Sequence, residues 1–422
     1  MKRLILFAVL INFAAFIHSH AQTNFEILNE IDSKISRDSV IDYLEILTGE
    51  KDVMLEEETV RILSRKWSHE GNALAARYIY AKLKDYGYDT ELRFYDTSKG
   101  FKGENVLAIS EGAENPDKFI VFSAHYDSMS DPETLAPGAD DNGSGVATVL
   151  EAARIFKDYR HKNTIIFALF DFEETGPMGS WIYADSLKQA GVTDLRCVNV
   201  DMMGYSRPDD DTTFIYHNGS DGCNEIADGI LEIREFFQIE NDVISSDRFF
   251  TRDDYSKKIH YGSSDALSFG YHDFPAVNIM ENSKLNKMND KYHDEGDKID
   301  NMNIPYYMKN LRLAIISVAN FAGMESPSAI SEVRGNIEKY AIYPNPAIGS
   351  RITLKINSAW NSTISIDLCD NFGNELGCIY EGSVIEGSQN IKLNTGNLSS
   401  GIYWIRISDQ GEMRSLPFVI VE

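Results

Sequence analysis

KFIVFSAHYDS (Lys118–Ser128), TIIFALFDFEETG (Thr164–Gly176) and LRCVNVDMMGY (Leu195–Tyr205) are three apolar runs, each ending in acids or a histidine. Between the first two lies PGADDNGSG (Pro137–Gly145), followed by VATVLEAARIFKDY (Val146–Tyr159), whose apolar residues recur at helical spacing. Short β-branched runs alternating with helical patterns predict an α/β fold, a doubly wound, mixed but mainly parallel sheet flanked by helices. Such sheets bind ligands beyond the carboxyl ends of their strands, where His125, Asp127, Glu173, Glu174 and Asp201 fall in this reading. No glycine-rich phosphate loop with a Lys-Ser/Thr ending occurs, and no dinucleotide fingerprint follows a strand. One imidazole among several carboxylates suits a divalent ion of zinc type instead. Two ions held close together need a bridging carboxylate to offset their repulsion, and Asp140, at a tight glycine-flanked turn, is the expected bridge.

Outward from this region, the 422 residues suffice for two or three domains. Met1–Ala21 opens with Lys2 and Arg3, runs apolar through Leu4–Ile17 and ends in small residues, as a secretory signal does, with cleavage expected before Gln22. The apolar run is shorter than the roughly 20 residues of a membrane span. A net charge of −25 argues against nucleic acid as a partner, because phosphates would be repelled. Four cysteines are too few for a disulfide scaffold. Cys369 and Cys378 flank a turn-like NFGN, which would let them face each other across a hairpin; Cys197 and Cys223 read as core thiols.

Ser39–Leu47 and Glu56–Tyr86 read as helices, and Thr90–Tyr95 and Asn105–Ile109 as strands. The pattern weakens from Asp209 to Arg252, where Glu225–Phe237 is the clear helix. Ala276–Met280 is expected as a further buried strand and Ile304–Phe321 as a closing helix. The periodicity then lapses into a polar linker, placed at residues 326–339. Tyr340–Glu422 differs in kind, with short alternating strands such as Arg351–Ile356, Thr363–Cys369, Asn390–Thr395 and Ile402–Ser408, the pattern of a small all-β sandwich. It carries no acid cluster and is assigned no chemistry.

His293, in KYHDEGDKID (Lys291–Asp300), is the candidate second imidazole that a zinc pair requires. HYDS, PGADDNGSG, DFEETGPMGS, NVDMMGY and YHDEGDKID, in this order, resemble the five signature blocks of metallopeptidase family twenty-eight of clan MH, the dizinc aminopeptidases. The resemblance covers roughly Asp38–Ala322 and implies a zinc-peptidase fold with two Zn2+ ions, in a catalytic domain placed at residues 22–325. By it, Asp140 bridges the ions, Glu174 and His293 complete one site, and His125 and Asp201 complete the other. It implies Glu173 as general base, Asp127 as the carboxylate orienting His125, Asp141 as a supporting residue, and a cis peptide between Asp140 and Asp141. The chemistry agrees: zinc lowers the pKa of a bound water, and a free carboxylate beside it accepts the proton and passes it to the leaving amine.

HYGSSDALSFG (His260–Gly270) and NIMENSKLNKMND (Asn278–Asp290) resemble the pocket blocks of leucine-preferring secreted aminopeptidases. By that likeness Met280, Leu285, Met288 and Tyr292 wall an apolar pocket, with Asp265 beside it and Tyr261 as a donor to the oxyanion. Ser263 stands where some members of the family have a cysteine. YPNP (Tyr343–Pro346), DNFGNEL and LSSGIYWIRI (Leu398–Ile407) resemble the type A sorting domain of the type IX secretion system. That likeness implies export through the periplasm to the outside or the cell surface, with the outer-membrane secretion machinery and peptides as partners. The expected activity is release of apolar N-terminal residues from peptides. The alternatives are a glutaminyl cyclase-like acyltransferase, a carboxypeptidase or dipeptidase on the same fold, and a non-catalytic receptor-like relative. The intact DDNGSG block and the retained ligand positions favour the hydrolase.

Overall fold

The computed structural model describes residues 25–325 apart from 98–99, 132, 247–263 and 284–286, and residues 340–421 apart from 344–346, 349–350, 359–361, 371–374, 386, 397, 400 and 410–411. The signal segment, the linker, Tyr261, Leu285 and the NFGN turn lie outside the described residues. The chain divides into two compact units, Met1–Ser326 and Pro327–Glu422.

The first unit is built on eight strands: β1 (Asp89–Asp96), β2 (Lys102–Ser110), β3 (Asn115–His125), β4 (Asn163–Phe170), β5 (Leu195–Val200), β6 (Thr212–His217), β7 (Asp242–Ser246) and β8 (Ala276–Glu281). Their order across the sheet is β7-β6-β8-β5-β3-β4-β2-β1. The central four, β8, β5, β3 and β4, are mutually parallel, and β1, β2 and β6 are joined to their inner neighbours antiparallel. Every residue of β4 is buried, as expected of a parallel strand covered on both faces. Along β3 the faces alternate: Ile120, Phe122 and Ala124 enter one apolar cluster and Val121 the other.

Helices cover both faces. The larger cluster takes side chains from α1 (Arg37–Leu47), α2 (Glu70–Asp85), α3 (Ser144–Phe156), α5 (Asp221–Phe236) and α7 (Ile304–Ala322). The smaller cluster takes side chains from α4 (Met178–Gln189) and α6 (Ala266–Tyr271). In α1 the buried set Val40, Tyr43, Leu44 and Leu47 has the spacing of one helical face, and the Ser36 hydroxyl accepts the Ser39 N–H at 3.2 Å to start it. Gly323, at φ +65°, ends α7 in the left-handed conformation that glycine adopts without a side-chain clash.

Two expectations need correction. The helix expected over Glu56–Tyr86 starts only at Glu70, where the His69 side chain accepts the Gly71 N–H. The preceding residues make a hairpin with Val53 opposite Val60, because backbone pairing there competes with a weak helical pattern. The weakly patterned stretch after Asp209 contains two strands, β6 paired with β8 and β7 paired with β6 at the sheet edge.

The second unit has two sheets. Tyr340–Tyr343, Arg351–Ser358 and Gly387–Asn394 form one; Ala347–Ile348, Glu412–Val421, Gly401–Asp409, Ser362–Cys369 and Glu375–Val384 form the other. Ile352, Leu354 and Ile356 pack with Ile364, Ile366, Leu368 and Phe418 in one apolar core, so this is a β-sandwich. The cysteines do not join. A bulge sets Cys369 opposite Glu375 and Cys378 opposite Asp367, and both thiols are free. Cys197 and Cys223 are buried free thiols.

The parallel strands deliver their carboxyl ends to one rim of the first sheet. At the opposite rim the turn 190–194 leading into β5 is open: a Cβ added at Gly191 would meet nothing within 4 Å.

Candidate metal centre

β3 ends on His125, and Asp127 follows two residues later. β4 ends at Phe170, and the chain turns through Asp171 and Phe172, the latter at φ +63°, to set out Glu173 and Glu174. β5 ends at Val200, immediately before Asp201. PGADDNG leads directly into α3, while His293, at φ +59°, arrives from the loop after β8. Elements distant in sequence converge because the parallel strands are adjacent.

The carboxylate at the centre is that of Asp141, not Asp140. Asp141 Oδ1 lies 3.3 Å from His125 Nε2, and its Oδ2 lies 3.3 Å from His293 Nε2. Asp201 Oδ1 lies 3.4 Å from His125 Nε2, and Glu174 Oε2 lies 2.8 Å from His293 Nε2. His125, Asp141 and Glu174 each offer a ligand atom within 4.8 Å of the others. Asp140 is turned away. Its Oδ1 accepts the Gly204 N–H at 2.7 Å and its Oδ2 accepts from Asn289 Nδ2 at 3.0 Å, and a hydrogen bond from the buried Glu281 carboxyl, whose pKa burial raises, also favours its ionised form. Burial raises the Asp140 pKa to about 6. The carboxylate that faces both imidazoles is thus one residue beyond the expected bridge, because adjacent residues of this turn point to opposite sides. The cis peptide is likewise Asp141–Asn142, not Asp140–Asp141.

Asp127 ties two ligand segments together. Its Oδ1 lies 3.3 Å from His125 Nδ1, and its two oxygens accept the N–H groups of Glu173 (3.1 Å) and Glu174 (3.2 Å). One carboxylate thus orients the imidazole and fixes the direction in which the two glutamates diverge. Glu174 meets His293, whereas Glu173 stands outside this contact set. Burial, opposed by His125 and reinforced by the charges of Asp201 and Glu174, holds the Glu173 carboxyl well above its ordinary range. Burial acts against protonation of His293, but the Asp141 and Glu174 carboxylates more than offset it and raise its pKa to about 10.

These residues suit a divalent ion on structural grounds. Glu174 Oε1, Asp201 Oδ1 and His293 Nε2 are buried and have no hydrogen bond of good geometry, an arrangement otherwise costly to fold. Imidazole nitrogen with carboxylate oxygen is a zinc donor set.

Beside the cluster, Met280 is buried and Met288 packs against the same apolar group, together with Met202, at φ +49° directly after Asp201. Met202 was not singled out in the sequence, where it reads only as part of an apolar run. The Tyr292 ring stacks on the His293 ring at 3.6 Å and is 40% exposed. Asp265 is fully buried just before α6, and burial lifts its pKa to about 7.

Sequence reasoning also missed the residues that hold the central turn. Asp297 accepts N–H groups from Asp140 and Asp141, and Arg65 is wholly buried against backbone carbonyls, burial lowering its pKa to about 10. Asp297, four residues beyond His293, was legible only as one of several acids in its block, and Arg65 carried no pattern at all.

The sequence pattern of Peptidase family M28 matches residues 105–316, half of the chain, and spans every residue of this cluster. The chain belongs to Peptidase family M28. Among M28-like relatives, a probable zinc metalloprotease of Pyrenophora teres is 34% identical over 207 residues, covering 44% of this chain and 43% of that protein. A probable leucine aminopeptidase of Arthroderma otae is 28% identical over 223 residues, 51% of this chain and 57% of that one. The chain spans less than half the length of the zinc metalloproteases it matches. In fold, this M28 chain resembles the LapA aminopeptidase of Legionella pneumophila, with a TM-score of 0.56 at 23% identity over 71% of this chain and 75% of that one. Residues 341–422 match a secretion system C-terminal sorting domain.

Proposed function

We propose that this M28 protein is an exported dizinc aminopeptidase that removes apolar N-terminal residues from peptides. The observation that carries the reading is the Asp141 carboxylate standing between two imidazoles, one oxygen toward each. It divides the donors into two sets that share it, His125 with Asp201 and His293 with Glu174. Two zinc ions held there would supply an acidified water and polarise the scissile carbonyl.

The remaining steps belong to the chain's own residues. Glu173, left out of the ligand set, takes the proton of the attacking water and returns it to the leaving amine. Asp127 fixes the His125 tautomer by facing Nδ1, leaving Nε2 for the ion. Met288, half-buried against the apolar group that holds Met202 and Met280, is the part of that group assigned to the first side chain. The sorting-domain match supports export, with residues 22–325 as the catalytic part, 326–339 as a linker and 340–422 addressing the protein to the outer-membrane secretion machinery. No helix among the described residues is long and apolar enough to cross a membrane.

The test compares leucyl-anilide with N-acetyl-leucyl-anilide on zinc-loaded protein. Cleavage of the free-amine substrate alone is expected, and equal cleavage of both would overturn the exopeptidase assignment. Metal analysis should give two zinc ions per chain; a single ion would overturn the dizinc reading.

A further inference from the structure

We propose that Arg65 and Asp297 act as a positioning pair that grips the Pro137–Asp141 turn from both polarities of its backbone and so sets the Asp141 carboxylate between the two histidines. This rests on the metal-centre reading above and names residues that do not themselves ligate.

The guanidinium of Arg65 is fully buried and spends its donors on carbonyls alone. Nε donates to Tyr126 O at 2.8 Å, Nη1 to Leu47 O at 2.7 Å and Pro137 O at 2.5 Å, and Nη2 to Gly138 O at 2.8 Å. Tyr126 lies between His125 and Asp127, and Pro137 and Gly138 open the turn that carries Asp141. One planar fork thus joins the segment of one ligand to the turn of another. A lysine cannot do this, since its single nitrogen cannot span carbonyls so far apart. A Cβ at Gly138 would come within 2.9 Å of Nη2, and Gly138 has φ +52°, so the turn is shaped to admit the fork.

From the other side, the Asp297 carboxylate accepts the N–H of Asp140 (3.1 Å) and of Asp141 (3.0 Å), and its own carbonyl accepts the Ala139 N–H at 2.9 Å. Carbonyls 137 and 138 are therefore held by a cation, and amides 139 to 141 by Asp297. Asp297 also follows His293 by four residues, so the anchor of Asp141 and the second imidazole arrive on one segment. The charges fit as well: the buried Arg65 cation is favoured electrostatically by the Asp297, Asp141, Asp127 and Glu174 carboxylates. Bare carboxylates crowded this closely repel, and a cation fixed behind them keeps the set together when no ion is bound.

The experiment measures zinc affinity by chelator competition and the visible absorption of the cobalt-substituted protein for Arg65→Lys and Asp297→Asn, with circular dichroism as the check on folding. We expect folded Asp297→Asn protein with zinc affinity lowered roughly ten- to a hundredfold, an altered cobalt spectrum, and kcat reduced more than KM. Arg65→Lys should do the same wherever it folds. A folded variant at either position with zinc affinity and cobalt spectrum matching the parent overturns the proposal for that residue. If Arg65→Lys does not fold, Asp297→Asn alone decides whether the turn is gripped. A parent that binds zinc but releases no amino acid would overturn the aminopeptidase reading while leaving this one standing.

Discussion

Buried charge separates the two units of the chain. In the first, Arg65, His125, Asp127, Asp140, Asp141, Asp265, Glu281 and Asp297 are all within a few percent of complete burial. In the second, the buried described residues are apolar apart from Cys369 and Thr395. A β-sandwich can be specified by alternation alone, each apolar side chain lowering the free energy by leaving water. The first unit carries groups whose burial opposes folding unless partners compensate, and those groups collect at one rim of one sheet. The contrast teaches where chemistry lies: the second unit is shaped by packing, and the first holds, at its rim, a cluster that packing alone would have eliminated.

The largest effect that would sharpen this contrast is Glu173→Gln. It should retain zinc, since Glu173 stands outside the ligand contacts, while kcat on leucyl-anilide falls by roughly 10²- to 10⁴-fold. Loss of metal in that variant, measured by elemental analysis, would mean that the two glutamates have exchanged roles. Next come the neighbouring aspartates. Asp141→Asn should weaken zinc binding by more than about 100-fold and Asp140→Asn by about tenfold, and chelator competition showing the reverse order would return the bridge to Asp140. On the other unit, Phe418→Ala removes a fully buried ring and should cost about 3–5 kcal/mol of that unit's stability. The rate on leucyl-anilide should stay within about twofold, given a sandwich with no part in the chemistry. A matching fall in activity would break the division of labour.

The smallest effect concerns pH. Burial, together with the charge of Asp127, raises the Asp171 pKa to about 8, against roughly 4 in an unfolded chain. Between those values the folded protein keeps a proton that the unfolded one has lost, so this group makes stability fall as pH rises from about 4 to 8. Asp171→Asn should flatten that slope in denaturant titrations of the metal-free protein, and an unchanged slope would place the titration elsewhere.

Much of this was legible in the residues. The strands ending in HYD, DFEE and NVD mark the rim because a parallel strand is a continuous apolar run, and its abrupt end in acids can only be a carboxyl terminus facing a site. His293 was found by the need for a second imidazole. The misplacement between Asp140 and Asp141 has a physical source: two adjacent aspartates offer the same chemistry, and the backbone of the turn alone decides which faces the histidines. Arg65 was invisible for another reason. Its partners are the carbonyls of Leu47, Tyr126, Pro137 and Gly138, and a carbonyl leaves no mark on sequence. The strands β6 and β7 were hidden because their pairing, not their own pattern, makes them strands.

The open turn beside Gly191 has a practical use. It lies at the rim remote from the ligands, and extra chain inserted in an exposed connection costs little closure entropy. A fluorescent or affinity handle spliced there would leave both termini free, which matters when the export reading assigns one to a leader and the other to the sorting apparatus. The export reading then becomes testable by microscopy without editing either address.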